Sequence, residues 1–233
     1  MTPDFIIDDL EKACLRIKVL GYPNNGESIM ISLRYDEEEL YNVITDCYEN
    51  SDNHSWANLL SGETRIDAFI WTHPDEDHSL GVQTLLDKFD PEGKARIFVP
   101  TSLTRDLLER NNKQAAISTY LYLKEKYNKG KRRQWNEVSL SEYEPPRFLI
   151  SKTIFETKTN VPLDFKLGFM APIGSIINRR IDVEKMSSGQ MNDMSLFFIV
   201  QINSVNYIFG GDLAQQTIQF LDEDYLNNCR FIK

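Results

Sequence analysis

Cysteine is scarce in this chain. Cys14, Cys47 and Cys229 are the three in 233 residues, widely separated and with no Cys-x-x-Cys pair. That argues against a thiolate metal site and a disulfide framework. It fits a reducing compartment, so the expected location is the cytoplasm. Histidine is equally scarce, at His54, His73 and His78. Long apolar runs are absent: no stretch approaches the ~20 residues that cross a bilayer. The acidic start, Met1-Thr-Pro-Asp-Phe-Ile-Ile-Asp-Asp9, does not read as a secretory signal, so no membrane partner is expected. Positive charge is in deficit, with 26 Lys and Arg against 35 Asp and Glu and a net charge of −9. That argues against a general electrostatic grip on nucleic acid and leaves room for a local basic strip. No internal repeat, low-complexity tract or clear linker interrupts the chain. Its 41% apolar and 26% charged residues are ordinary for a globular protein of one large or two small domains.

Against that background one segment is dense in chemistry. Thr72-His-Pro-Asp-Glu-Asp-His-Ser-Leu-Gly81 places four metal-ligating side chains, His73, Asp75, Asp77 and His78, within six positions. The run Ile66-Asp-Ala-Phe-Ile-Trp71 before it reads as a buried strand, and Ser79 onward reads as a helix start. A strand-to-helix turn lets imidazoles and carboxylates converge on one ion while the strand fixes their origin. The plainer alternative is a solvated acidic turn that caps the following helix, since Asp is favoured at helix N-termini by the dipole alone.

The rest of the chain reads as strands, then helices, then strands and a helix again. Residues 15–20, 28–35 and 40–45 form a β-meander ending at Asp46, and a polar loop covers 48–63. Arg96–Pro100 is a further strand. Thr101 to Lys129 is helix-rich with a Thr104 cap. Residues 138–170 are β-like and 174–189 a polar loop. Strands at 195–202 and 205–209 make a hairpin ending at Gly210-Gly-Asp212, followed by a short helix (214–226) and a last strand (230–233). The pattern predicts two β-plus-α halves packed as a sandwich.

His73-Pro-Asp75-Glu-Asp77-His78 resembles the His-x-His-x-Asp-His signature of the metallo-β-lactamase superfamily. Asp in the second His position is similar to the competence DNA-uptake hydrolase subgroup. Gly26-Glu-Ser28, Ile44-Thr-Asp46, Asn192-Asp-Met-Ser-Leu196 and Ile208-Phe-Gly-Gly-Asp212 resemble further landmarks of that subgroup, in the same order. The resemblance spans roughly residues 15–233. It implies an α+β fold, the four-layer αββα sandwich, in a single domain over residues 1–233, truncated at the C-terminal end. It also implies that Asp212 bridges metals. Two expected histidines are not in the sequence. None stands near Gly168-Phe-Met-Ala171-Pro172, and the final one would follow a strand like Cys229-Arg-Phe-Ile-Lys233, beyond Lys233.

The expected metal ligands are therefore His73, Asp75, Asp77, His78 and Asp212, with one or two divalent ions, Zn²⁺ or Mn²⁺. Oxygen-rich sites favour harder ions, and imidazoles keep zinc available. Asp77 and Asp75 are the candidate catalytic residues, Asp75 as orienter or proton acceptor. Asp46, Asn192 and Asp193 are candidate site-lining residues. Asp46 reads as a brace accepting backbone hydrogen bonds, and Asp212, on its own, as a helix cap. The expected function is metal-dependent hydrolysis of phosphodiesters in a nucleic acid or nucleotide, by metal-activated water, with a nuclease as the subtype. Lys129, Lys131, Arg132 and Arg133 form a basic patch that could follow a phosphate backbone, with Tyr120, Tyr122, Tyr127 and Trp135 interleaved. The alternative function is a degenerate, non-catalytic module. It would bind a protein partner or nucleotide in a multi-component bacterial system, including anti-phage defence by analogy.

Overall fold

A computed structural model describes residues 3–20, 28–49, 60, 64–129, 134–159, 161–181, 185–210, 212, 215–221, 226 and 229–232. In chain order its strands are β1 (Phe5–Ile7), β2 (Ala13–Leu20), β3 (Ser28–Tyr35), β4 (Glu38–Thr45), β5 (Ala68–Ile70), β6 (Arg96–Pro100), β7 (Trp135–Val138), β8 (Arg147–Glu156), β9 (Pro162–Ala171), β10 (Phe197–Ile202), β11 (Val205–Phe209) and β12 (Cys229–Ile232). The helices are α1 (Glu76–Ser79), α2 (Val82–Phe89), α3 (Arg105–Arg110), α4 (Gln114–Tyr127), α5 (Gly174–Ile181), α6 (Ser188–Asn192) and α7 (Gln215–Ile218). The chain is thus mixed α/β with two six-stranded sheets, a composition compatible with an α+β sandwich.

Contacts divide the chain into two compact units. The motif-bearing unit comprises Leu15–Arg34 and Glu39–Glu137. Its sheet runs β2-β3-β4-β5-β6-β7. At the centre β4, β5 and β6 are parallel, with Thr45, Ile70 and Phe98 in one register row. A short parallel strand flanked on both edges must be apolar throughout, and Ala68, Phe69 and Ile70 are all fully buried. Trp71, also fully buried, continues the ladder by donating from its backbone N–H to Phe98 O at 2.9 Å. The chain therefore leaves the sheet at Thr72, already deep in the core.

The helices of this unit follow local chemistry. Thr104 caps α3, its hydroxyl accepting from Leu107 N at 3.2 Å. The amphipathic face of α2 buries Val82, Leu85, Leu86 and Phe89, the i, i+3, i+4, i+7 spacing of a helix laid on a sheet. Asp90 staples the end of α2. Its carboxylate accepts from Lys94 N, Ala95 N and the Tyr127 hydroxyl at 2.9, 3.0 and 2.7 Å.

The second unit comprises Met1–Cys14, Tyr35–Glu38 and Val138–Lys233. Its sheet runs β1-β8-β9-β10-β11-β12, antiparallel from β8 to β11 with parallel strands at both edges. The Phe169, Phe198 and Phe209 rings pack in sequence, the last two stacked at 4.8 Å.

Two expectations differ from the structure. The helix expected from Ser79 is instead two: a single turn, α1, then α2 after a break at Leu80-Gly81. The polar loop expected over 174–189 contains α5 and the start of α6. The polar composition of 174–181 hides an apolar edge, because Ile176 and Ile177 are buried and enough to seat one short helix.

Gly81 makes the break between α1 and α2 feasible. Its φ is +108°, and a Cβ there would lie 2.7 Å from Glu49 Cβ and 3.0 Å from Cys47 Sγ. The same close approach forms a bridge with Tyr48 and lets Glu49 N donate to Leu80 O at 2.7 Å. Gly81→Ala should therefore lose stability by about 1–3 kcal/mol from backbone strain, with the steric contact adding to it. Urea unfolding monitored by tryptophan fluorescence is the check. A midpoint equal to that of the parent chain would show that the turn tolerates a side chain.

Candidate metal centre

Four consecutive steps of backbone geometry set this site. β4 ends at Thr45, and Asp46 follows in the left-handed region with φ +54°. Few residues other than Gly adopt that conformation, and Asp is one of the more tolerant. Asp46 N still donates to Ile70 O at 2.9 Å, so the residue stays in register with β5 while its carboxylate meets the chain emerging from that strand. Oδ1 accepts from Thr72 N at 2.7 Å, and Oδ2 accepts from the Thr72 hydroxyl. Oδ2 also lies 2.8 Å from His78 Nδ1. Asp46, Thr72, His73 and His78 are all buried.

These contacts fix the proton positions on both imidazoles. An ionised carboxylate can only accept, so His78 Nδ1 carries the proton and, in the neutral ring, Nε2 keeps its lone pair. Thr72 has one hydroxyl proton and gives it to Asp46. Toward His73 Nδ1, 3.3 Å away, its oxygen is therefore the acceptor, which makes Nδ1 the donor and Nε2 the basic nitrogen of His73. The two rings lie 3.9 Å apart between centroids and are tilted by 50°. Two buried imidazoles side by side, each with its basic Nε2 selected by one carboxylate, form the orienting arrangement that accompanies metal-ligating histidine.

The turn carrying His78 is held from beneath. Trp71 Nε1 donates to Ser79 Oγ at 3.2 Å, and Ser79 Oγ donates to Asp75 O at 2.5 Å. Thr119 on α4 donates to Ser79 O at 3.0 Å. A one-turn helix has too few internal hydrogen bonds to persist alone. These three contacts replace the missing turns.

The remaining candidates separate. Asp75 is the N-cap of α1, yet its carboxylate caps nothing and instead meets Lys113 Nζ at 2.5 Å. The Asp77 side chain is half exposed, with Oδ2 3.8 Å from His78 Nε2. Asp212 belongs to the second unit and is exposed in the turn after β11. Asn192 ends α6 in that unit. Asp193 follows it, fully buried, and accepts from Arg180 Nε at 3.0 Å and Thr217 Oγ1 at 2.9 Å. That arrangement ties α5, the end of α6 and α7 together, a structural anchor for the unit.

Within the basic patch, Lys131, Arg132 and Arg133 lie outside the described residues, as does His54. Lys129 pairs with Glu125 one turn earlier at 3.0 Å. Two of the four interleaved aromatics belong to the core, and Tyr122 and Trp135 are half-buried. Tyr120 and Tyr127 are buried, and Tyr120 packs edge-on against Trp135 at 5.9 Å. Burial and the hydrogen bond to Asp90 push the Tyr127 phenol far above its usual range. Tyr120 and Tyr127, placed this way, support α4 from the core side.

Two residues that matter here were not singled out in the sequence, Thr72 and Lys113. Thr72 stands immediately before His73, but a lone threonine has no motif value. Lys113 carried a faint signal. It precedes a helix, where a cation opposes the dipole.

Replacing Asp46 separates tautomer control from stability. In Asp46→Asn, Oδ1 can still accept from Thr72 N, but the amide NH₂ now faces His78 Nδ1 and reverses the tautomer. Long-range ¹H–¹⁵N spectra of the parent chain should show the His78 proton on Nδ1, and those of Asp46→Asn should show it on Nε2. Asp46→Ala should instead lose about 2–4 kcal/mol, because it strands buried donors on Thr72 and His78. An Nε2-protonated His78 in the parent chain would refute this assignment.

No protein-family model matches this chain, and no curated protein matches it. Among solved structures it is similar to a protein from Parabacteroides distasonis designated a metal-dependent hydrolase, at a TM-score of 0.32 and 11% identity. The alignment covers 85% of this chain and 66% of that one.

Proposed function

We propose that this chain is a metal-dependent hydrolase, acting on phosphodiesters in nucleic acid or nucleotides, with a metallo-β-lactamase-type αββα fold. The observation that carries this reading is the pair of buried imidazoles oriented from Asp46, His78 by direct contact with its carboxylate and His73 through the Thr72 hydroxyl. Support also comes from the closeness of the His73 and His78 rings, 3.9 Å between centroids within one unit. Paired imidazoles suit zinc, and the Asp77 carboxylate beside His78 keeps Mn²⁺ in range. A bound divalent ion supplies Lewis acidity and an acidified water. The residues of the chain then orient and exclude. Asp46 and Thr72 hold the two rings, and the buried Trp71 side of the turn keeps bulk water away from them. Asp77, half exposed beside His78, is the group placed to take a proton from water or substrate. The substrate class rests on the sequence resemblance alone.

A second reading, a non-catalytic binding module, is favoured by one feature. At the end of β9, where the resemblance calls for a histidine, Ala171 is fully buried among apolar neighbours.

The two readings part in one experiment. Bis(p-nitrophenyl) phosphate and labelled single- and double-stranded DNA are incubated with the protein in Mn²⁺ or Zn²⁺, beside a His73→Ala/His78→Ala variant and a chelator control. The parent chain should bind metal by elemental analysis and turn over at least one substrate, and the variant should fall to background. Equal turnover by parent and variant would sink the hydrolase reading. Bound metal without turnover on any of these substrates would favour the module.

A further inference from the structure

Two helix N-caps in the motif-bearing unit do no capping. Asp75 precedes α1 and Lys113 precedes α4, and neither side chain bonds to its own helix. Aspartate is a good cap, while lysine sets a cation against the positive end of a 14-residue helix. Local preference thus opposes Lys113 and leaves Asp75 unused. The two side chains meet instead, Nζ to Oδ1 at 2.5 Å, across 38 positions of sequence, with side-chain exposures of 24% and 21%. Lys113 is a firm origin for such a contact. Its N–H donates to Leu108 O at 3.1 Å, and its carbonyl accepts from Ile117 N at 2.9 Å.

The other end of the contact leads to a histidine. Asp75 O accepts from His78 N at 3.2 Å and from Ser79 Oγ at 2.5 Å. Packing does not fill the space between α1 and α4. A groove of about 650 Å³ opens there, lined by Glu76, Ser79, Leu80 and Gly81 from the motif segment and by Lys113 and Thr119 from the α4 side. Two polar contacts join those linings, Thr119 to Ser79 O and Lys113 to Asp75. One holds the end of the four-residue α1 and the other its start. We infer that Lys113 is a positioning residue for His78, acting through Asp75 on the turn that carries the imidazole. Asp46 holds the ring at Nδ1, and Lys113 governs the backbone of the same residue. His73 stands on the exit of β5 and His78 on α1, so a tilt of α1 changes how the two rings face each other. A pair of ligands that loosens loses metal affinity before it loses fold. The inference rests on the metal-centre reading only for what the position serves.

The test compares the full chain with Lys113→Met, Lys113→Arg, Asp75→Ala and the Lys113→Met/Asp75→Ala double variant. Two quantities are read: hydrogen exchange of the His78 amide in metal-free protein, and the Zn²⁺ Kd by competition with a chelating dye. Lys113→Met should speed exchange at His78 and weaken zinc binding, each about tenfold, the lower end of what lost orienting contacts cost, with Phe69 and Ile70 exchanging as before. Asp75→Ala and the double variant should match it, because both side chains serve one contact. Lys113→Arg should return both quantities to parent values. Parent-like exchange at His78 in folded Lys113→Met would overturn the inference. So would zinc binding as tight as the parent's or tighter, or losses that add in the double variant. Should Lys113→Met fail to fold, Asp75→Ala decides by the same exchange measurement. The expected exchange pattern in a chain that binds no zinc would sink the metal centre and leave the positioning of His78 standing.

Discussion

The carboxylate of Asp46 is the constraint on which the candidate site depends. It closes the end of β4 onto the exit of β5, and it accepts from Thr72 twice and from His78 once. A buried carboxylate is tolerated only when its oxygens are used, because the desolvation penalty otherwise exceeds what packing returns. Here the hydrogen bonds that satisfy it are also the ones that set two imidazole tautomers. Stability and chemistry are therefore coupled at one residue, and the left-handed backbone of Asp46 is the modest local cost of bringing them together.

Around that point the motif-bearing unit is built to keep a short, irregular segment still. α1 has four residues and β5 three. Neither is stable on its own length. Trp71, Ser79 and Thr119 link them to α4, and Gly81 lets the chain pass within contact of Cys47 and Glu49 before α2 begins. The result is a rigid platform under two histidines, as a preorganised site requires. Lys113 adds a charge to the platform from an element far away in sequence. Its position at a helix cap makes sense only through its tertiary partner.

Much of the fold was legible because its signals are local. β3 and β6 fall where apolar runs between turn residues placed them, and Thr104 caps α3 as its spacing indicated. α5 was not legible, because two buried isoleucines in a polar stretch leave no helical period to read. The aromatic residues beside the basic patch also read differently in three dimensions. In sequence Tyr120 and Tyr127 alternate with lysines, but their helical positions turn them into the core while the lysines stay at the rim.

At the site, the sequence by itself determined which atoms could bind an ion. Two histidines and two aspartates within six positions at the end of an apolar strand are a chemical statement that needs no coordinates. It also marked Asp46, through the strand end it follows. Only the tertiary structure decided what each group does. Hydrogen bonds of Asp46 to the Thr72 hydroxyl and to His78, across 26 and 32 positions, orient the two rings, and an ion pair across 38 positions meets Asp75. A tautomer or a charge state is set by whatever lies within about 3 Å in space. Neighbours at that distance come from strand pairing and helix packing, which bring together residues far apart in the chain.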